Sequence, residues 1–140
     1  MNFNFSAKIS LRVRYGETDQ MGYCYYGNYA SFFEVGRVEA LRELGLSYKE
    51  MEDQGIMLPV SHFEVDYLSP TFYDDLLTVE TKIVSLQGAR LFFEYNLFNE
   101  KGKLCSVGKT TLVFVSKESM RPMSAPKDFL DLMNKFLVNE

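Results

Sequence analysis

Val13-Arg14-Tyr15-Gly16-Glu17-Thr18-Asp19-Gln20-Met21-Gly22-Tyr23-Cys24-Tyr25-Tyr26-Gly27-Asn28-Tyr29 is the stretch across which the pattern of the chain changes. Before it, Phe3 to Tyr15 carries Phe5, Ile9, Leu11 and Val13 at odd positions, the period of a half-buried strand. Gly16 to Gly22 is rich in turn formers and reads as a loop. From Asn28 the period is helical. Tyr29, Phe32, Phe33, Gly36, Ala40, Leu41 and Leu44 fall on one stripe at i, i+3, i+4, i+7, i+11, i+12 and i+15. Glu39, Arg42 and Glu43 take the opposite side, Gly27 or Asn28 suits the N-cap, and Gly45 suits the C-terminal stop.

Downstream, Ser47 to Gln54 reads as a short helix capped by Ser47 and ended by Gly55. Four strands are predicted next, over Met57–Tyr67, Leu76–Leu86, Leu91–Asn99 and Lys103–Ser116. Gln87-Gly88-Ala89 and Asn99-Glu100-Lys101-Gly102 are hairpin signals, so the later strands pair antiparallel. A last amphipathic helix is expected from Pro126 to Val138, burying Phe129, Leu130, Met133 and Leu137. No repeat or flexible linker interrupts the pattern, so residues 1–140 read as one domain. The class is α+β, with one long helix laid against one antiparallel sheet. Such a layer leaves a sheet edge and face uncovered, which favours self-association.

Composition narrows the function. A formal charge of −4 with no Lys/Arg block argues against nucleic acid as the main partner. No apolar run approaches the length of a membrane span, and the start lacks a signal peptide, so the cytoplasm is the expected location. Cys24 and Cys105 are far apart among apolar neighbours and read as buried free thiols. One histidine without clustered cysteines makes a zinc centre atypical. There is no G-x-S-x-G elbow, P-loop or GxGxxG.

The opening stretch also carries a family resemblance. A strand running into a D-x-x-G loop (Asp19 to Gly22), two aromatics, and Gly27-Asn28-Tyr29 opening a helix resemble the hotdog-fold acyl-CoA thioesterases of the 4-hydroxybenzoyl-CoA thioesterase class. The match continues through Phe33 to Arg42, Leu58-Pro59-Val60, Asp66-Tyr67-Leu68-Ser69-Pro70 and Tyr73 to Leu77, in family order. The resemblance implies a sheet wrapped around a central helix and hydrolysis of acyl-CoA without a metal or redox cofactor. It also implies a homodimer, pairing into a tetramer, with active sites at the dimer interface. Asp19 matches the family's carboxylate, acting as base or nucleophile, and the backbone N–H groups of Tyr26 and Gly27 match its oxyanion donors. The chemistry fits, because the first N–H groups of a helix lack partners and its positive end attracts negative charge. Taken alone, an aspartate in such a turn has a plainer use in capping backbone N–H groups. Where some members carry a histidine this chain has Tyr26, which favours the aspartate form of the mechanism.

Tyr25, Tyr29, Phe33 and His62 are candidate substrate contacts, with core packing the plainer account of Phe33 and an outward strand position that of His62. Arg90, Lys117 and Arg121 are candidates for the coenzyme A phosphates. Glu34, a helix carboxylate, pairs more simply with Arg37 at i, i+3. Glu17 is expected to face solvent or a salt bridge. Two rival functions remain at this level: a hydratase or dehydratase on the same fold, and a non-catalytic acyl-CoA binding module.

Overall fold

The computed structural model describes residues 1–138. Strand β1 (Asn2–Arg12) leads through a 3₁₀ turn (Tyr15–Glu17) and the Asp19 loop to a second 3₁₀ turn (Tyr26–Asn28), which runs directly into α1 (Tyr29–Leu44). Next come α2 (Tyr48–Asp53), β2 (Ile56–Met57), β3 (Val60–Tyr67), β4 (Leu76–Gln87), β5 (Arg90–Phe98), β6 (Leu104–Val113) and β7 (Val115–Ser116). Helix α3 (Lys127–Met133) and a last 3₁₀ turn (Asn134–Phe136) follow. Five strands form one antiparallel sheet in the order β1-β4-β5-β6-β3, while β2 pairs with β7. The hairpin signals account for β4-β5-β6, and the two edges are set by long-range pairing.

Every residue of the apolar stripe from Tyr29 to Leu44 is buried. Helix and sheet meet closely because two glycines permit it. A Cβ at Gly36 would stand 2.6 Å from Thr81 Oγ1 and 2.8 Å from Val79 Cγ1 on β4. A Cβ at Gly108 on β6 would stand 2.6 Å from the Phe33 ring, which instead stacks on Tyr95 at 4.7 Å. Gly45, at φ +109°, ends the helix in the left-handed region.

Several boundaries differ from the sequence reading. The strand expected over Met57–Tyr67 breaks at Leu58-Pro59, where β2 leaves to pair with β7 and β3 joins β6. The strand expected over Lys103–Ser116 is likewise interrupted at Phe114. The final helix stops at Met133, so Phe129 and Met133 are buried while Leu130 is half-buried. Leu137, expected inside, is 40 % exposed because the chain there bridges to Phe3 instead of turning inward. Asn28 caps nothing with its side chain. The Glu34–Arg37 pair does not form; Arg37 turns inward and its Nε donates to the Tyr48 hydroxyl at 3.2 Å. No helix among the described residues is long and apolar enough to cross a membrane.

Candidate active site

Asp19 closes its own loop. Its carbonyl accepts from Gly22 N–H at 3.0 Å, and its N–H donates to the Tyr23 carbonyl at 2.8 Å. Oδ1 accepts from the N–H groups of Met21 (2.9 Å) and Tyr23 (3.2 Å), which fixes the carboxylate plane. Gly22 sits at φ +81°, the backbone the turn requires. Among the described residues no hydrogen bond reaches Oδ2. Loop and helix are joined through Glu17, whose carbonyl accepts from Tyr25 N–H and Asn28 Nδ2, both at 2.7 Å. The Glu17 carboxylate is held by Arg14 through its backbone N–H (2.7 Å) and guanidinium (3.2 Å). Burial pushes the Glu17 carboxyl up, but these bonds prevail and hold it below the usual range.

The N–H groups of Tyr26 and Gly27 meet no acceptor among the described residues, as expected for the first turn of a helix. Tyr26 and Asp19 line the same cleft of about 260 Å³, walled by Met21, Tyr23, Tyr29, Tyr67 and Leu68. The wall is anchored from behind. Cys24 N–H donates to Thr71 carbonyl at 2.7 Å, and the N–H groups of Leu68 and Ser69 share the Cys105 carbonyl at 2.8 and 3.0 Å. The Tyr29 hydroxyl pairs with Thr71 Oγ1 at 2.9 Å out of solvent, and burial pushes its pKa up to about 12. The Tyr67 hydroxyl donates to the Tyr26 carbonyl at 2.8 Å, tying the edge strand β3 to the helix start. Burial also raises the Cys24 thiol, so it stays an uncharged wall residue rather than a nucleophile.

A profile of the thioesterase-like superfamily matches residues 13–133. The chain belongs to the thioesterase-like superfamily. It is 34 % identical over 119 residues to the acyl-CoA thioesterase YbgC of Haemophilus influenzae, covering 84 % of this chain and 87 % of that protein. It is 30 % identical over 120 residues to the acyl-CoA thioester hydrolase YbgC of Escherichia coli O157:H7, covering 86 % and 90 %. The structure of a DHNA-CoA thioesterase from Staphylococcus aureus superposes with a TM-score of 0.90 at 35 % identity, covering 94 % of this chain and 91 % of that one.

On this thioesterase-like scaffold the expected site residues separate into two groups. Asp19, Tyr26 and Tyr29 meet at the cleft, and Gly27 follows Tyr26 in the same turn. Tyr25 lies over Gly27 and is 46 % exposed; a Cβ at Gly27 would stand 2.7 Å from its ring. Phe33 is fully buried against Tyr95, so within the chain it supports the helix rather than the cleft. His62 lies outward on β3, with Nε2 3.7 Å from Glu64 Oε1, and lines a separate cleft with Arg90. Arg90 pairs with Val113 and Tyr67 with Ser106, so these two sites stand seven residues apart along β6, about 23 Å. Lys117 and Arg121 are surface residues just past β7, at that same far end. Glu34 is exposed on α1. Among the described residues no three His, Cys, Asp or Glu side chains gather as metal ligands would.

Tyr67 and Thr71 carry no role in the sequence reading, although both build the cleft. The usable signal was the strand alternation that sets Phe63 and Tyr67 on one face. Their partners, Phe33 and Tyr29, lie on α1, and no local pattern states that contact.

Proposed function

We propose that this chain hydrolyses acyl-CoA thioesters to a free acid and coenzyme A, using Asp19 and the start of α1. The observation that carries the reading is the pairing of unmet groups across one cleft. Among the described residues Asp19 Oδ2 has no hydrogen-bond partner while Oδ1 is pinned, and the adjacent Tyr26 and Gly27 N–H groups have no acceptors. A thioester carbonyl bound to those N–H groups gains stabilisation as its oxygen becomes negative. Oδ2 then delivers the nucleophile, either by deprotonating a water or by attacking the carbon itself. Collapse of the adduct breaks the C–S bond, and the thiolate of coenzyme A leaves with a proton. In the water route that proton is the one Asp19 took. In the direct route the mixed anhydride left on Asp19 is hydrolysed by a water, which releases the free acid, restores the carboxylate and supplies the proton. Neither route needs a metal or redox cofactor.

The same reading includes a homodimer, itself pairing into a tetramer. Strand β3 is an edge with Val60, Phe63 and Tyr67 each 38–47 % exposed, which suits a second copy. In that assembly the far-end residues of one copy complete the cleft of the other, with His62 touching the substrate and Arg90, Lys117 and Arg121 taking the coenzyme A phosphates. Phe33 and Tyr25 then back and flank the acyl group.

Free-thiol release across an acyl-CoA panel tests the chemistry, comparing wild type with Asp19→Asn. Hydrolysis falling about 10²–10⁴-fold in the variant is the expected result. Unchanged turnover would remove Asp19 from the mechanism, and binding without release by wild type would favour a non-catalytic acyl-CoA module. Light scattering tests the assembly, with a clear monomer counting against it.

A further inference from the structure

Arg37 forms no salt bridge among the described residues. It lies on α1, is 9 % exposed, and donates from Nε to the Tyr48 hydroxyl at 3.2 Å. The groups facing its charge are the hydroxyls of Tyr48 and Tyr95, and among the described residues no carboxylate lies within 4.0 Å. Tyr95 is itself pinned by Thr110 Oγ1 at 2.7 Å and Tyr48 is half-buried beside it, so the guanidinium is held in place by neutral groups. A guanidinium taken out of water needs an opposite charge to offset its lost hydration, and a tyrosine hydroxyl supplies only a dipole.

Arg37 also lines an open cleft of about 780 Å³ between α1, α2 and the start of β3, together with Tyr48, Ser47, Arg42 and Lys49 and with two exposed carboxylates, Glu34 and Glu52. Arg42 is already engaged by Glu39, and Lys49 stands at the exposed rim. A buried, oriented guanidinium opening onto a cleft with Ser47 and Tyr48 beside it has the form of an oxyanion receptor, since its planar fork matches a carboxylate or phosphate bidentately. The two glutamates stand exposed on the cleft wall. The cleft lies well away from Asp19. From Gly27 to Arg37 the chain climbs ten residues, about 15 Å along the helix.

We propose that Arg37 marks a second binding site, one that takes an oxyanion (carboxylate or phosphate) in the α1–α2–β3 cleft. The oxyanion is either a free ion or a carboxylate carried at the far end of the acyl group. The second source rests on the thioesterase reading, and the first does not.

Two measurements separate these cases. Thermal unfolding and calorimetric titration with inorganic phosphate and with glutarate probe the free ion, without any hydrolysis. Wild type is expected to bind and gain melting temperature, Arg37→Gln to lose both, and Arg37→Lys to retain part. Rates of hydrolysis of two CoA esters of equal chain length, one ending in methyl and one in carboxylate, probe the substrate-borne case. There the wild-type preference for the carboxylate ester is expected to fall at least tenfold in Arg37→Gln. Either response sustains the site and names its source. The absence of both in wild type overturns it, as does a loss of oligomer mass in Arg37→Gln without loss of ion binding, which would assign the counter-charge to a second copy. Should Arg37→Gln fail to fold, Arg37→Lys and Tyr48→Phe, which keep the charge and disturb its orientation, read the same two assays.

Discussion

The middle and the start of α1 are put to opposite uses. Along its middle the helix is closed against the sheet: Gly36 touches Val79 and Thr81, and Phe33 fills the space over Gly108. At its start the helix is open. Among the described residues the N–H groups of Tyr26 and Gly27 and one carboxylate oxygen of Asp19 meet no partner, and Tyr23, Tyr26 and Tyr67 are each 40–63 % exposed. The closed part carries the packing, and the open part cannot hold its own geometry without the closed part behind it. Rigidity and reactivity are thus placed a few residues apart on one element, which is how a small fold positions a site to within fractions of an ångström.

The sharpest way to break that division is Asp19→Asn. The amide oxygen still accepts from the Met21 and Tyr23 N–H groups, so the loop keeps its shape while the negative charge is lost. The expected outcome is the loss of hydrolysis given above with an unfolding midpoint close to wild type. A fall in stability comparable to the fall in rate would mean the carboxylate is structural. Phe33→Ala is the complementary break. Emptying that fully buried position is expected to cost about 3–5 kcal/mol in denaturant unfolding, and whatever folded protein remains should keep a functional Asp19 loop.

Tyr67→Phe probes the joint between the two regions. It removes the bond to the Tyr26 carbonyl at a surface where water replaces it, so stability should fall by about 0.5–1.5 kcal/mol. If that bond orients the oxyanion donors, kcat drops severalfold while KM holds. If it only trims the edge strand, both constants stay put.

The closed region was far more legible in the sequence than the open one. A 3.6-residue stripe states which side of α1 is inside, and all seven positions it names are buried. The hairpin turns likewise state β4-β5-β6. What no local pattern states is where β3 goes after Pro59, or that Tyr67 and Thr71 come to face Tyr29, because those contacts join residues some forty positions apart. Arg37 misled for a related reason. On a helical wheel it neighbours Glu34, but the sheet below offers Tyr95 and the start of α2 offers Tyr48, and the side chain follows them inward. The family resemblance points to Asp19, and only the geometry distinguishes its two oxygens, with Oδ1 bonded to the Met21 and Tyr23 N–H groups.

The smallest effect is silent near neutrality and separates the regions by pH. Tyr29, behind the open cleft, and Tyr48, beside Arg37, are both pushed up to about 12, in each case chiefly by burial. Bonds to Thr71 and to Arg37 respectively oppose that rise without cancelling it. A free tyrosine ionises near 10, so each ring favours the folded state fully below about pH 10. That contribution is lost as pH climbs through the folded value of about 12, because the unfolded chain releases the proton first. Unfolding free energy from urea titrations at fixed pH should therefore be flat with respect to these groups from pH 7 to 9 and fall between 10 and 12. Tyr29→Phe and Tyr48→Phe should each remove part of that slope, and the double variant more. If Tyr48→Phe alone flattens the curve, the Tyr29 hydroxyl keeps contact with solvent, and the wall behind Asp19 is looser than its 2.9 Å bond to Thr71 implies.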